Sequence, residues 1–137
     1  MSVTINVGTR FPAYATSMGR VLLAGLPPAA LDDYLSSVEL EPLTRRTLTS
    51  REQLEAHLQT VRSQGYAMVD QELEDGLRSI AVPIHDGNDD VIAAINLSSH
   101  ASRATLDMMR REYLPLLRGT AEQIEADLRV TSHRVMR

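Results

Sequence analysis

The sequence predicts an α+β fold in which helices pack on one antiparallel sheet and a long helix closes the chain. Three observations support this prediction. Helical spacing of apolar residues fills the first half of the chain, strand-like segments follow one another between residues 66 and 98, and another helical pattern begins at residue 105. Because helices and strands are segregated along the chain, antiparallel pairing is favoured over a doubly wound parallel sheet.

The first predicted element is a half-buried strand over residues 3–7, where apolar and polar residues alternate until Gly8. No hairpin partner precedes this segment in the sequence. A strand that opens a chain without a partner is typical of a domain that has been separated from preceding sequence. We therefore expect this chain to be part of a longer protein.

The next segment, residues 11–24, changes from extended chain to helix. Pro12 holds its own φ near an extended value, and Thr16 or Ser17 can cap the helix that follows. A helix start keeps free backbone N–H groups at the positive end of the helix dipole, and Gly19 would let backbone and ligand approach closely. The segment predicts a binding site for a carboxylate or phosphate at Ser17, Met18 and Gly19, although an ordinary capped helix shows the same residues.

Two further helices are predicted before the sheet. Pro28 can begin the first of them, since proline is favoured in the opening turn of a helix. Ser50 and Gln53 have the capping-box arrangement at the start of the second, in which Ser bonds forward and Gln reaches back. Gly65 is expected to end that helix in the left-handed conformation.

Three strands are predicted next, over residues 66–73, 77–85 and 91–98, and short turns join them into an antiparallel meander. A long helix should begin at Thr105 and kink near Pro115. Its predicted inner face comprises Leu106, Met109, Tyr113, Leu116, Leu117, Ile124 and Leu128.

Composition excludes several classes of protein and site. The chain of 137 residues is 43% apolar, which suits one globular domain, and its net charge of -4 argues against direct nucleic-acid binding. Absence of cysteine excludes disulfides and thiolate chemistry. No membrane span, secretory signal, phosphate loop, dinucleotide fingerprint or calcium loop is apparent. We therefore expect a cytoplasmic protein with no metal or cofactor.

Alternation along the strands places small and polar side chains on one face of the predicted sheet. Ser79 on the second strand should share that face with Asn96 and Ser98 on the third. A face with so little side-chain volume is either covered closely by a helix or left as a cavity. The second case predicts a pocket for a small carboxylic acid between this face and the helix start at Ser17 and Met18.

Two other functions remain open from the residues alone. One is a small hydrolase, although no Gly-x-Ser-x-Gly motif is present. Its candidate nucleophiles are Ser17, Ser79 and Ser98, and its candidate bases are His57, His85, His100 and His133. The other is a purely structural dimerisation domain whose sheet face is filled.

Four segments in order, residues 12–24, 62–67, 72–83 and 93–98, resemble the effector-binding domain of IclR-family transcriptional regulators. The sequence of residues 11–20 is especially similar to that of the PcaR/PcaU subgroup, which controls aromatic-acid catabolism through the β-ketoadipate pathway. The resemblance implies a non-enzymatic, GAF-like domain that binds a small organic or aromatic acid. It also implies a homodimer or tetramer that binds DNA through an N-terminal winged helix-turn-helix, which this chain lacks, as it lacks an early strand or helix.

The resemblance further implies which residues meet the ligand. The matching positions are Ser17, Met18, Val69, Asp70, Leu77, Ser79, Asn96 and Ser98, with Val3 and Phe11 at the periphery. Arg10, Arg20 and Arg78 are candidates for pairing with a second carboxylate or for structural salt bridges. Glyoxylate- and pyruvate-responsive relatives have Gly-Ala in place of Ser17-Met18 and an acid in place of Val69. A longer or more apolar acid is therefore expected here.

Overall fold

The computed structural model describes residues 5–135. A 3₁₀ turn (Ala13–Ala15) leads into three helices, three strands and a C-terminal helical segment, which confirms the predicted order after residue 10. The helices are α1 (Ser17–Ala24), α2 (Pro28–Ser37), α3 (Arg51–Gln64), α4 (Leu106–Met108) and α5 (Leu114–Val135). The strands are β1 (Ala67–Asp70), β2 (Leu77–His85) and β3 (Val91–His100).

The strands form one antiparallel sheet in the order β1-β2-β3, so the predicted α+β class and meander are confirmed. Val69 pairs with Ser79, and Ser79 pairs with Ser98 on its other side. β1 is shorter than predicted because Gln71 takes a positive φ of 59° and its N–H donates to the Leu77 carbonyl, which turns the chain out of the strand.

The predicted strand over residues 3–7 is wrong in the part that the structure describes. Val3 lies outside the described residues, and residues 5–7 run into a turn at Gly8, whose φ is 92°. The Thr9 N–H donates to the Asn6 carbonyl (3.0 Å), and the Asn6 N–H donates to Thr9 Oγ1 (2.9 Å). These local bonds use the Asn6 groups that a ladder would require.

The predicted helix boundaries follow from capping. Thr16 Oγ1 accepts the Gly19 N–H at 3.0 Å, and Pro28 opens α2. Ser50 Oγ accepts the Gln53 N–H at 3.2 Å, but the Gln53 side chain forms no return bond to Ser50, so only half of the expected capping box is present. Gly65 ends α3 with φ 80°, as predicted.

The C-terminal helix begins after Thr105, as predicted, but contains an irregularity that the spacing of its apolar residues does not predict. A single π-helical turn (Met109–Tyr113) separates α4 from α5, directly before Pro115. One π turn adds a residue and shifts every later position around the helix. Leu114, Leu117 and Ala121 are therefore buried with Met109. The predicted inner residues Leu116 and Leu128 are 65% and 40% exposed.

Two apolar cores lie on opposite faces of the sheet. One joins α1, α2 and α3 to the face that carries Ala67 and Ala81. The other joins α5 to the face that carries Ile80, Val82 and Ile84. Alternation along β2 thus divides the domain into three layers, and the small side chains of the sheet face α1.

A buried ion pair connects α1 to the loop after β1. Arg20 is 0% exposed; its Nε donates to the Tyr14 carbonyl at 2.9 Å, and its Nη1 and Nη2 both donate to the Glu72 carboxylate. Glu72 also accepts the Leu48 N–H at 3.2 Å. With its guanidinium held by these internal partners, Arg20 is a structural residue and not the partner of a second ligand carboxylate.

Replacing Glu72 with Gln removes the charge that compensates Arg20, so we expect the free energy of unfolding to fall by about 3–5 kcal/mol. Chemical denaturation followed by circular dichroism measures this loss. Asp107→Asn breaks the exposed pair with Arg111 and serves as the matched control, with an expected loss below about 1 kcal/mol. Equal losses in the two variants would contradict the structural importance of the buried pair.

His57 on α3 has a largely buried ring, and its Nε2 has no hydrogen-bond partner. Burial lowers the pKa of His57 below 6.5, and the nearby Arg20 charge lowers it further. Because the unfolded chain takes up a proton more readily, the contribution of neutral His57 to stability is complete above pH 6.5 and is lost as pH falls toward the folded pKa.

The stability of the wild type should therefore fall relative to that of His57→Gln as pH is lowered from about 7.5 to about 5.5. Chemical denaturation of both proteins across this range gives the difference directly, and effects of the other histidines cancel. A difference that is constant with pH would contradict the burial of a neutral ring at this position.

Candidate functional site

A cavity of about 180 Å³ lies between the start of α1 and the small-residue face of the sheet. Its walls comprise Ile5, Phe11, Ala15, Thr16, Ser17, Met18, Val69, Leu73, Leu77, Ser79, Asn96 and Ser98. Most of these residues are apolar, and the hydroxyls and the one amide supply the polar groups. None of these side chains carries a formal charge.

The cavity brings together most of the residues that the sequence analysis singled out. Val69, Ser79 and Ser98 lie across the three strands in direct register, so their side chains share one face. Leu77 and Asn96 lie two residues away along their own strands and join the same face. Strand alternation thus assembles the floor, and the α1 start supplies the opposite wall.

Four predicted positions do not line the cavity. Asp70 alternates away from Val69, and its carboxylate accepts from Arg46 Nη1 (2.9 Å) and Arg78 Nε (2.7 Å). Arg78 Nη1 also donates to the Ala101 and Ala104 carbonyls, so this guanidinium holds the loop after β3. Arg10 is exposed and does not line the cavity.

The fourth position is Arg20, which is buried in its ion pair. The predicted position Val3 lies outside the described residues. Burial raises the pKa of Asp70, but hydrogen bonds from Arg78 and Gln71 outweigh it and hold the pKa below 3.8. Asp70 therefore stays ionised at neutral pH as the partner of two arginines. The prediction that Asp70 meets the ligand is corrected, because two arginines take up its charge. Of the two roles left open for Arg20 and Arg78, the structure shows the structural salt bridge for each.

Four lining residues were missed. Ala15 and Thr16 directly precede the predicted anion-binding site at Ser17. Their position beside Ser17 is the feature of the sequence from which their place in the cavity wall could be predicted. Leu73 reaches the cavity from the loop that begins at Gln71, whereas its sequence predicts that it belongs to the first strand. No sequence pattern predicts that Ile5 lines the cavity, because its position depends on the path of an irregular segment.

Hydrogen-bond donors converge where α1 meets the cavity. Ser17 is 1% exposed, and its Oγ is buried without any hydrogen-bond partner. The Gly19 N–H is taken by Thr16 Oγ1 and the Arg20 N–H by the Thr16 carbonyl, which leaves the two opening amides of the helix without internal acceptors. These donors, with the helix dipole behind them, suit a carboxylate.

Gly19 has a different role from the one predicted. A Cβ at this position would lie 2.3 Å from the Ala13 carbonyl oxygen and 2.6 Å from Thr16 Oγ1. The absence of a side chain therefore lets α1 pack against the preceding 3₁₀ turn. The close approach at Gly19 is between two parts of the backbone and does not involve a ligand.

The described residues contain no group of His, Cys, Asp and Glu side chains arranged to hold a metal ion. His85 Nδ1 lies 2.9 Å from Glu125 Oε2, and His100 Nδ1 lies 2.6 Å from Ser102 Oγ. Neither ring is hydrogen-bonded to a cavity serine.

Within residues 5–135, none of the helices combines the length and apolar composition that a membrane crossing requires.

Comparison with known proteins identifies relatives over nearly the whole chain. Residues 1–126 match the family model described as bacterial transcriptional regulator IclR C-terminal. The chain is 48% identical over 124 residues to the Pca regulon regulatory protein of Pseudomonas putida, covering 90% of this chain and 43% of that protein. It is 35% identical over 120 residues to the p-hydroxybenzoate hydroxylase transcriptional activator of Acinetobacter baylyi, covering 88% and 44%.

Solved structures agree with these relatives. A proposed transcriptional regulator from Rhodococcus sp. RHA1 superposes with a TM-score of 0.90 at 51% identity, covering 93% of this chain and 51% of that chain. The inducer-binding domain of PobR from Acinetobacter, a double mutant in complex with 3-hydroxybenzoic acid, gives 0.82 at 35% identity, with 86% and 67% covered. The chain spans less than half the length of the two curated relatives.

Gly19→Ala tests the packing of the α1 start. Alanine favours helix by about 1 kcal/mol, but the contact with the Ala13 backbone should outweigh this gain and destabilise the domain by about 1–3 kcal/mol. Gly119→Ala, also helical but with open space around the added Cβ, should instead stabilise by up to about 1 kcal/mol. Thermal denaturation of both variants measures the two signs, and a stabilising Gly19→Ala would contradict the close contact.

Proposed function

The chain belongs to the IclR family of bacterial transcriptional regulators, and from this membership we propose that its cavity senses a small organic acid. One observation carries the proposal. Ser17 lines the cavity, and its hydroxyl is buried with no partner among the described residues, although a buried polar group without a hydrogen bond costs about 1–3 kcal/mol. A ligand oxygen would satisfy it.

The chemistry of the walls defines the ligand class. An anionic oxygen has donors at the α1 start, where the Ser17 and Met18 amides and the Ser17 hydroxyl meet the positive end of the dipole. The body of the ligand would contact Phe11, Val69 and Leu77, which are apolar. A ligand with a carboxylate at one end and a compact apolar body fits this separation of polar and apolar walls better than glyoxylate does.

Size supports an aromatic acid or an open-chain acid of similar bulk. An engineered apolar cavity of about 150 Å³ binds benzene, so a cavity of about 180 Å³ accommodates one ring with small substituents. A double mutant of the PobR inducer-binding domain from Acinetobacter is known in complex with 3-hydroxybenzoic acid, and the p-hydroxybenzoate hydroxylase transcriptional activator of Acinetobacter baylyi is 35% identical to this chain. We propose an intermediate of aromatic-acid catabolism as the effector.

The whole protein would act as a regulator of transcription. Residues 1–137 would form its single effector-binding domain, and a separate N-terminal winged helix-turn-helix would contact DNA, because the net charge of -4 does not suit DNA binding by this domain. The effector would favour one arrangement of a homodimer or tetramer by binding it more tightly than the other. Such a regulator works in the cytoplasm, where the DNA is.

An enzymatic function is the weaker alternative. The compared relatives named above are all described as transcriptional regulators. In the described part of the chain His57, His85 and His100 are not hydrogen-bonded to Ser17, Ser79 or Ser98, so none of these three serines has an imidazole base. The serine that His100 does contact, Ser102, does not line the cavity. A purely structural domain is disfavoured because the sheet face is not filled.

The proposal is tested by thermal denaturation with protocatechuate, 4-hydroxybenzoate, β-ketoadipate, glyoxylate and pyruvate. A sensor is stabilised by one or more of the larger acids in proportion to ligand concentration, and the acid is recovered unchanged. Consumption of the acid would support an enzyme. No stabilisation by any of them would overturn the proposed function.

Ser17→Ala should weaken binding of the stabilising acid by about 10- to 100-fold, since a hydrogen bond to a charged group contributes about 1.5–3 kcal/mol. The stability of the free domain should not fall, because the hydroxyl has no internal partner. Ser79→Leu should abolish binding by filling the cavity. Calorimetry with Ser63→Leu, an exposed change on α3, as control measures both effects, and unchanged affinity in both variants would move the site elsewhere.

A further inference from the structure

The 3₁₀ turn that leads into α1 is held from outside the cavity by the hydroxyl of Tyr14. Tyr14 is 4% exposed and directly precedes the cavity residues Ala15, Thr16 and Ser17. Its own side chain does not line the cavity. The ring packs in the core that joins α1, α2 and α3, and the hydroxyl reaches the loop between α2 and α3.

The hydroxyl makes two hydrogen bonds to a single residue of that loop. Tyr14 Oη donates to the Glu41 carbonyl at 3.1 Å and accepts the Glu41 N–H at 3.0 Å. Both partner groups belong to the main chain, and Pro42 restricts Glu41 to extended conformations. The phenol is therefore tied to a stiff segment of backbone, whatever side chain residue 41 carries.

Another bond runs from the same turn into α1. The Tyr14 carbonyl accepts a hydrogen bond from Arg20 Nε at 2.9 Å, which ties the turn to the helix. The turn is thus bound to α1 on one side and to the α2–α3 loop on the other. Its position sets the direction of the Ser17 and Met18 amides, because these residues follow it directly and open the helix.

The α2–α3 loop also holds a second wall of the cavity. Thr44 Oγ1 donates to the Gln71 carbonyl at 2.6 Å. Thr47 Oγ1 donates to the Glu72 carbonyl at 2.7 Å. These two carbonyls directly precede Leu73, which lines the cavity. The loop therefore fixes two walls of the cavity, although none of its own residues lines it.

We propose that Tyr14 is a positioning residue for the effector carboxylate, and that its hydroxyl acts by fixing the direction of the α1 amides. The inference rests on the proposed function, because it concerns the same carboxylate. A hydrogen bond weakens steeply when its donor turns away from the acceptor, so the donors depend on surrounding contacts for their alignment. Ser17 Oγ has no internal partner and cannot provide that alignment, whereas the bonds of Tyr14 to Glu41 can.

Tyr14→Phe tests this role, because it keeps the buried ring and removes only the oxygen. The probe is 4-hydroxybenzoate, and 4-hydroxybenzamide is a neutral ligand of the same shape. In calorimetry, Tyr14→Phe should weaken binding of the acid about tenfold and of the amide about threefold, since hydrogen bonds to an anion are about twice as strong. Distortion of the cavity would instead reduce both affinities by the same factor.

Two matched controls should bind both ligands as the wild type does. Tyr66→Phe removes the same oxygen from a ring that packs on the other face of the sheet. Glu41→Ala keeps both main-chain groups that meet the Tyr14 hydroxyl. Glu41 is exposed, so water can replace the lost hydroxyl, and Tyr14→Phe should keep the circular dichroism spectrum of the wild type.

Equal losses of acid and amide affinity in Tyr14→Phe would overturn the inference, as would an unchanged affinity for the acid. Loss of the wild-type circular dichroism spectrum would also overturn it, because the hydroxyl would then be required for folding. In each of these cases, binding of 4-hydroxybenzoate to the wild type leaves the proposed function standing. If 4-hydroxybenzoate does not bind the wild type, the inference is rejected, and stabilisation by the other acids decides the proposed function separately.

Discussion

The position of α1 depends on the charge pair between Arg20 and Glu72. Arg20 projects from the helix whose first turn forms one wall of the cavity, and Glu72 lies in the loop that brings Leu73 to another wall. Thr47 Oγ1 donates to the Glu72 carbonyl, so a third segment is fixed by the same residue. A guanidinium this deeply buried is tolerated only when its hydrogen bonds are satisfied. The Arg20–Glu72 pair therefore fixes the position of the cavity wall formed by the α1 start.

The cavity exists because its two walls are held apart by contacts that lie outside it. The sheet floor contributes small side chains at Ser79 and Ser98 and cannot fill the space. α1 cannot close onto that floor, because its start is fixed by Gly19 against the 3₁₀ turn and by the bonds of Arg20 to Glu72 in the loop. The unfilled volume is thus a property of the surrounding packing.

The sheet face was predictable from the sequence, whereas the charged contacts were not. Alternation and short turns determine that Ser79, Asn96 and Ser98 share a face, and that rule needs no knowledge of distant residues. Glu72, the partner of Arg20, is 52 residues away and Arg46, one partner of Asp70, is 24 residues away, so spacing does not reveal them. Arg78, the other partner of Asp70, lies opposite it in the β1-β2 register. The π turn and the irregular path at residues 5–7 were missed because local patterns favour a regular helix and strand.

The opening amides of α1 belong to the main chain, and this has an evolutionary consequence. Any residue other than proline at positions 17 and 18 retains those N–H groups as long as the helix begins there. Preference for a negatively charged oxygen can therefore persist through mutation, while changes at Met18, Val69 and Ser79 alter the shape of the space around it. On the proposed function, one scaffold can thereby acquire new inducers without losing its affinity for acids.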